Sequence, residues 1–168
     1  MGNQSFVSGS GGIAQGLDTH VEGRNGLAIG TASHVEGVGC STGDESPGAH
    51  AEGNSTQANA SYAHAEGFKT IATKPGQHVE GMLNIVDEKN IYLHIVGNGQ
   101  QEYKKDGVVI REETRSNAHT LDYSGNAWFA GSVDCTKLYL RSSTPGSTKR
   151  FSITINDSGS LTIREENI

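Results

Sequence analysis

A tetrapeptide, His-(Val/Ala)-Glu-Gly, recurs five times in the first half of this chain and constrains its fold more than any other feature. The copies occupy residues 20–23, 34–37, 50–53, 64–67 and 78–81, and all but one of the intervals between them are equal. The longer interval lies between the second copy and the third. Self-similarity at so short a period means that each copy is one small unit whose apolar face is covered by its neighbours.

One unit of about 14 residues is too short for a pair of helices, but it suits two short strands and two tight turns. The repeat therefore predicts a β-roll or β-solenoid. Because side chains alternate along a strand, the small aliphatic residue of each copy faces inward while its His and Glu face outward. The closing glycine permits the positive φ of a tight turn. An interior this thin admits small aliphatic residues and excludes aromatic ones.

Composition changes sharply at the end of the repeats. Only 33% of the 168 residues are hydrophobic, and residues 1–81 hold 16 of the 23 glycines but only three of the ten aromatic residues. We therefore predict an all-β protein in three parts. These are a lead-in at 1–11, a β-roll stalk of five rungs at 12–81, and a small antiparallel β-domain at 82–168 that ends in a β-hairpin.

The part after residue 81 predicts short strands separated by turns. Asp-Gly at 106–107 and Ser-Gly-Asn at 124–126 are typical turn sequences, and alternating apolar residues flank Asp-Ser-Gly at 157–159. Strands are predicted at 84–86, 91–96, 108–111, 119–123, 127–130, 137–141, 150–155 and 160–164.

Two stretches resemble known families. Gly-Leu-Ala-Ile-Gly-Thr-Ala-Ser at 26–33, with the following His-Val-Glu-Gly, is similar to the head repeats of trimeric autotransporter adhesins. Ser-Tyr-Ala-His-Ala-Glu-Gly at 61–67 resembles the repeats of bacteriophage and prophage tail-fibre and tail-spike proteins, and residues 115–131 resemble a segment of tail proteins from phages of Gram-positive hosts. The resemblance implies a homotrimer in which three solenoids pack around one axis.

The His-X-Glu pairs raise a metal hypothesis, because imidazole and carboxylate both ligate zinc or iron. A ladder, however, repeats one pair and does not converge several ligands on a point. We therefore predict no metal and no cofactor, and a structural role within or between chains, with the histidines at or near the interface between protomers. The residues of this repeat set are His20, Glu22, Gly23, His34, Glu36, Gly37, His50, Glu52, Gly53, His64, Glu66, Gly67, His78, Glu80 and Gly81.

Several other functions are disfavoured. The net charge of −6 and the lack of a basic patch argue against nucleic-acid binding. No apolar run reaches membrane-spanning length. Cys40 and Cys135 are too far apart for a metal-ligand motif, and we predict free thiols. No nucleophile elbow or pair of carboxylates across a sugar-sized cleft stands out, so no catalytic residue is predicted.

The expected function is a non-enzymatic, receptor-binding structural component of a phage or prophage-derived tail fibre, made in the bacterial cytoplasm and located in the virion tail. Expected partners are two further copies of the chain, other tail or baseplate proteins, and a host-surface glycan or protein. Tyr123, Trp128 and Tyr139 form the candidate receptor surface. The alternatives are the head of a bacterial trimeric adhesin and a glycan-degrading or autoproteolytic tail-spike protein.

Overall fold

The structure, a computed structural model, describes residues 4–134 and 138–166. Every regular element in those ranges is a β-strand, as predicted. The same ranges contain no helix that is long and apolar enough to cross a membrane. Seven long strands build the solenoid: β1 (Phe6–Ser10), β3 (His20–Arg24), β5 (His34–Val38), β7 (His50–Asn54), β9 (His64–Phe68), β11 (His78–Met82) and β12 (Tyr92–Asn98). Five two-residue strands alternate with them: β2 (Ile13–Ala14), β4 (Leu27–Ala28), β6 (Ser41–Thr42), β8 (Gln57–Ala58) and β10 (Ile71–Ala72).

The chain alternates between two sheets, each made of parallel strands. We call each long strand, together with the segment that follows it, a rung. The seven long strands pair in parallel in chain order, and the five short strands form the second sheet in the same order. The register keeps the repeat in phase, since His34 lies beside His50, Glu36 beside Glu52 and Gly37 beside Gly53. The predicted β-solenoid is therefore confirmed.

Small side chains fill the space between the two sheets. The inward residues of the six long strands from β3 to β12 are completely buried, and those of the short strands are buried too. Val7, the inward residue of β1 at the end of the sheet, is partly buried. The outward His and Glu neighbours of the inward residues are partly exposed, which confirms the predicted alternation. The inward residues of the six long strands from β3 to β12 are Val21, Val35, Ala51, Ala65, Val79 and Ile95, and those of the short strands are Ala14, Ala28, Thr42, Ala58 and Ala72.

The glycine that closes each tetrapeptide is required by backbone packing. Gly37, Gly53 and Gly67 have φ values of +97°, +108° and +102°, a region that side-chain-bearing residues rarely adopt. A Cβ on Gly53 would also overlap the carbonyl oxygen of Gly67 in the next rung. The glycines therefore form a column in which the backbones of successive rungs approach too closely for any side chain.

The sheet of long strands also includes one strand before the tetrapeptide repeats and one after them. β1 pairs with β3 and places Phe6 beside His20, although this segment belongs to the predicted lead-in. At the other end, β12 pairs with β11 and places His94 beside His78. Both strands keep the inward aliphatic residue and the glycine of the repeat but lack one or both of its polar residues.

The predicted strand at 84–86 is wrong. Its first residue, Asn84, uses its side chain in place of a strand backbone: Oδ1 accepts a hydrogen bond from Ile71 N at 2.8 Å, and Nδ2 donates to Ile71 O at 3.1 Å. The Asn84 amide thus pairs with the backbone N–H and C=O groups of Ile71 at the outer edge of β10, so that no sixth short strand is needed there.

The sheet continues beyond β12 in antiparallel fashion. Strand β15 (Asn117–Asp122) pairs with β12, and β16 (Ala127–Phe129) pairs with β15. A separate hairpin contains β13 (Tyr103–Lys105), which the sequence did not predict, and β14 (Val108–Arg111). All of these strands belong to a compact unit that covers residues 1–131.

A second compact unit covers residues 132–168. It contains a three-stranded antiparallel sheet of β17 (Leu138–Arg141), β18 (Arg150–Ile155) and β19 (Leu161–Glu166). The predicted terminal hairpin is formed by β18 and β19. Residue 137 of the predicted strand at 137–141 lies outside the described residues, and so does Cys135, whereas Cys40 is a buried free thiol.

Candidate functional site

All seven histidines of the chain lie in one column on the outer face of the long-strand sheet. Neighbouring rings from His20 to His78 are stacked, with centroids 4.7–4.8 Å apart and planes within 15° of parallel. His94 and His119 continue the column at 5.1 and 5.7 Å. Phe6 and Phe129 close its two ends. We call this set the His column; His94 and His119, which join it, lie outside the tetrapeptides.

The five glutamates of the repeats form a second column beside the first, which we call the Glu column. Its carboxylates contact histidines of two different rungs: Glu22 lies 3.9 Å from His20 Nε2 and 3.8 Å from His34 Nε2. The same approach to the following rung brings Glu66 to 3.4 Å from His78 Nε2. Glu36 and Glu52 approach the histidine of their own rung, and Glu80, like Glu66, approaches that of the following rung.

The Nε2 atoms that face the Glu column are buried although the rings are only partly buried. Those of His20, His34, His50, His64 and His78 have essentially no contact with solvent and no hydrogen-bond partner within the described part of the chain. A buried polar atom without a partner costs free energy, so each of these nitrogens is an unsatisfied group that lies beside a carboxylate.

Stacking also changes the acidity of the rings. The pKa of His50 is lowered from its ordinary value by burial and by the neighbouring imidazoles of His64 and His34, which outweigh the carboxylates of Glu52 and Glu36. The pKa of His94 is lowered by burial and by His78, against the opposing effect of Glu80. Protonation of these two rings is therefore disfavoured in the folded chain.

We expect folding stability to fall as the pH is lowered through the histidine range. Because the folded pKa values of His50 and His94 lie below the unfolded value of 6.5, the unfolded chain takes up these protons first as the pH falls from about 7. Urea unfolding midpoints at pH 7.5, 6.5 and 5.5 should decrease in that order. The double variant His50→Gln/His94→Gln should show a smaller decrease, and an equal decrease would contradict this assignment.

The candidate receptor residues fall in both compact units. Tyr123 and Trp128 belong to the unit of residues 1–131, and Tyr139 belongs to the sheet of the second unit. All three side chains are about half exposed. Tyr123 Oη donates a hydrogen bond to Pro75 O at 3.0 Å, and burial raises its pKa. Tyr123 is therefore tied to the solenoid and less free to meet a ligand.

Trp128 lines a cavity of about 470 Å³ that the sequence did not reveal. Tyr92, Asn117 and Thr120 contribute to the same wall. Trp128 lies directly opposite Thr120 in the β15–β16 pair, and Asn117 Oδ1 accepts a hydrogen bond from Ile85 N at 2.8 Å. The cavity combines aromatic rings with amide and hydroxyl groups, the composition of many small-ligand sites. The turn predicted at 124–126 indicates that β16 folds back onto β15, but it does not indicate that this pair lies beside Tyr92.

Sequence comparisons do not assign the chain to a known group: no protein-family model matches it, and no curated protein matches it.

Proposed function

We propose that this protein is a structural, receptor-binding component of a phage or prophage-derived tail fibre that acts as a homotrimer and without enzymatic activity. The observation that carries the proposal is the solenoid of seven parallel rungs in strict register. Six steps of about 4.8 Å make it a spacer roughly 29 Å long. Its rungs are fixed to one another by the glycine column and continuous backbone pairing, as a rigid spacer requires. The tail-protein resemblance of the repeats and of residues 115–131 supports the biological setting.

Exposed apolar side chains in the second unit support self-association. Leu138 lies opposite Ile153, which lies opposite Ile163, so that an apolar row crosses all three strands. Leu138, Leu161 and Ile163 are 44%, 60% and 60% exposed. A three-stranded sheet of this size needs a covered apolar face to be stable. The occupant that we propose for this face is the same sheet of two further copies of the chain.

Light scattering on the purified protein tests the oligomer. We expect a mass of about 53 kDa, three times the 17.7 kDa of one chain. Leu161→Asp should shift the protein towards monomer at equal concentration, because a carboxylate in an apolar interface is desolvated without a partner. Leu17→Asp, at a solenoid side chain of similar exposure, serves as the control. A wild-type mass equal to that of a single chain would contradict the trimer.

The cavity beside Trp128 is the proposed receptor contact, since an exposed indole can stack on a sugar ring while amide and hydroxyl groups bind its hydroxyls. Purified cell-wall glycans from a panel of Gram-positive bacteria are the probe. Trp128→Ala should reduce retention on the bound glycan about tenfold or more. Tyr62→Ala, at a more exposed aromatic side chain on the solenoid, should not. Shortened glycan products after incubation would instead support an enzyme.

A further inference from the structure

Among the residues that the structure describes, no Lys or Arg side chain forms an ion pair with the Glu column. Glu22, Glu36, Glu52, Glu66 and Glu80 repeat at the rung spacing, and within the described residues their only ion-pair partners are histidines. A row of carboxylates at the rung spacing repels itself unless cations lie beside it. A bound cation would relieve this repulsion and would also supply the missing partners of the buried Nε2 atoms.

The ligand atoms meet in threes, not in isolated pairs. One imidazole nitrogen from each of two adjacent rungs and the carboxylate between them lie within 4.8 Å of one another in three places: His34 with Glu36 and His50, His50 with Glu52 and His64, and His64 with Glu66 and His78. This geometry corrects the argument that a ladder only repeats one pair. Since each of these carboxylates lies close to the imidazoles of two adjacent rungs, three ligand atoms converge at each position.

We propose that the His column and the Glu column together bind divalent transition-metal ions of the Zn²⁺ class, each ion held by two histidine Nε2 atoms and one glutamate carboxylate from adjacent rungs. Imidazole nitrogen favours Zn²⁺, Cu²⁺ and Ni²⁺ over Mg²⁺ and Ca²⁺. Three protein ligands leave one tetrahedral position for water.

The distances suit this coordination after a small rearrangement. Bonds of about 2.0–2.2 Å place tetrahedral ligand atoms roughly 3.4 Å apart. The Nε2 to carboxylate distances around His50 and His78 are 3.7 and 3.4 Å. The two imidazole rings of each triplet must tilt out of their parallel stack so that both Nε2 lone pairs point at one ion. The histidine side chains have room for this movement because they are partly exposed, for example 31% for His50 in the first triplet and 42% for His78 in the third.

The arrangement fixes a stoichiometry. The first and third triplets share no residue, whereas the middle triplet takes His50 from one and His64 from the other. Two ions can therefore bind in the outer triplets, separated by two rung spacings of about 4.7 Å each, and a third would need ligands already in use. We expect saturation at two ions per chain.

Isothermal titration of the full chain with ZnCl₂ at pH 7.5 tests the proposal. Wild type should bind two ions, and Glu66→Gln should retain one with ordinary affinity while the other weakens about tenfold or more. The double variant Glu36→Gln/Glu66→Gln should bind one ion, in the middle triplet of His50, Glu52 and His64, whose ligands the outer ions no longer use. The triple variant Glu36→Gln/Glu52→Gln/Glu66→Gln should lose ordinary-affinity binding altogether. Glu102→Gln is the control, because Glu102 is similarly exposed but pairs with Lys104. These replacements keep the shape of the side chain, and circular dichroism verifies that each variant is folded.

Two further measurements separate a built site from general affinity for histidine. Long-range ¹⁵N–¹H spectra should show Zn²⁺ shifting the Nε2 signals of His34, His50, His64 and His78, with no such shifts when MgCl₂ is added. Chain unfolded in urea should bind Zn²⁺ more weakly than folded chain. The proposal is overturned by no saturable binding at 100 μM ZnCl₂, by equal binding to the unfolded chain, or by two full-affinity ions in the double variant.

Discussion

Replacing Gly53 by alanine should destabilise the folded chain by about 3 kcal/mol or more. The new Cβ would overlap the carbonyl oxygen of Gly67, and the residue would be held at a φ of +108°. A backbone atom cannot move aside as the end of a flexible side chain can, so the two rungs must separate locally and weaken the hydrogen bonds between β7 and β9. Urea unfolding at fixed chain concentration measures the loss.

Gly76→Ala is the matched control for this prediction. Gly76 also has a positive φ, +66°, but nothing lies within 4 Å of the position that a Cβ would take. Its replacement should therefore cost only the strain of a left-handed backbone, about 1–2 kcal/mol. If both variants lose the same stability, close approach of the rungs is not the reason for the glycine in the repeat.

Replacing Ala58 by leucine should cost about 2–3 kcal/mol. Ala58 is the inward residue of β8 and is completely buried between the two sheets. Every short strand carries Ala or Thr at this position, which indicates that the interior there accepts nothing larger. Three additional carbons would force the sheets apart across neighbouring rungs, because a close-packed interior cannot absorb them. The unfolding free energy in urea provides the measurement.

Ala65→Val tests the same interior from the opposite sheet. Ala65 is the inward residue of β9, and the equivalent residues of β5 and β11 are the buried valines Val35 and Val79. We expect a change of less than about 1 kcal/mol, since two methyl groups are already accommodated at this position in other rungs. A loss as large as that of Ala58→Leu would show that the two sheets do not differ in the space that they allow.

The solenoid contains one rung before the five tetrapeptides and one after them, and the tetrapeptide alone does not predict either. Phe6 precedes His20 by the ordinary interval of the repeat, and His94 follows His78 by the longer interval that also separates the second and third copies. The pattern that both strands share with the repeat is an inward aliphatic residue followed two positions later by glycine. The His and Glu can change at the ends of the sheet because they face outward, where packing imposes less. Backbone approach and core volume restrict only the other two positions.

The cavity beside Trp128 could not be anticipated from local sequence. Trp128 and Tyr92 are far apart in the chain, and they line one cavity because β15 pairs with β12 on one side and with β16 on the other. Asn117 belongs to the same wall and also accepts the Ile85 backbone hydrogen bond. No periodic pattern links these positions, since their proximity depends on antiparallel pairings between segments that do not resemble one another.

The repeat alone was sufficient to predict the solenoid, its inward and outward faces and the need for glycine. Each of these follows from a short period combined with two-residue alternation, which act locally and identically in every copy. What the outward residues do together depends on the folded chain. Which rung each carboxylate approaches is set by side-chain direction across neighbouring strands, and this places Glu36, Glu52 and Glu66 each between two imidazoles. Repetition made the column predictable, whereas the convergence of three ligands between rungs required the folded geometry.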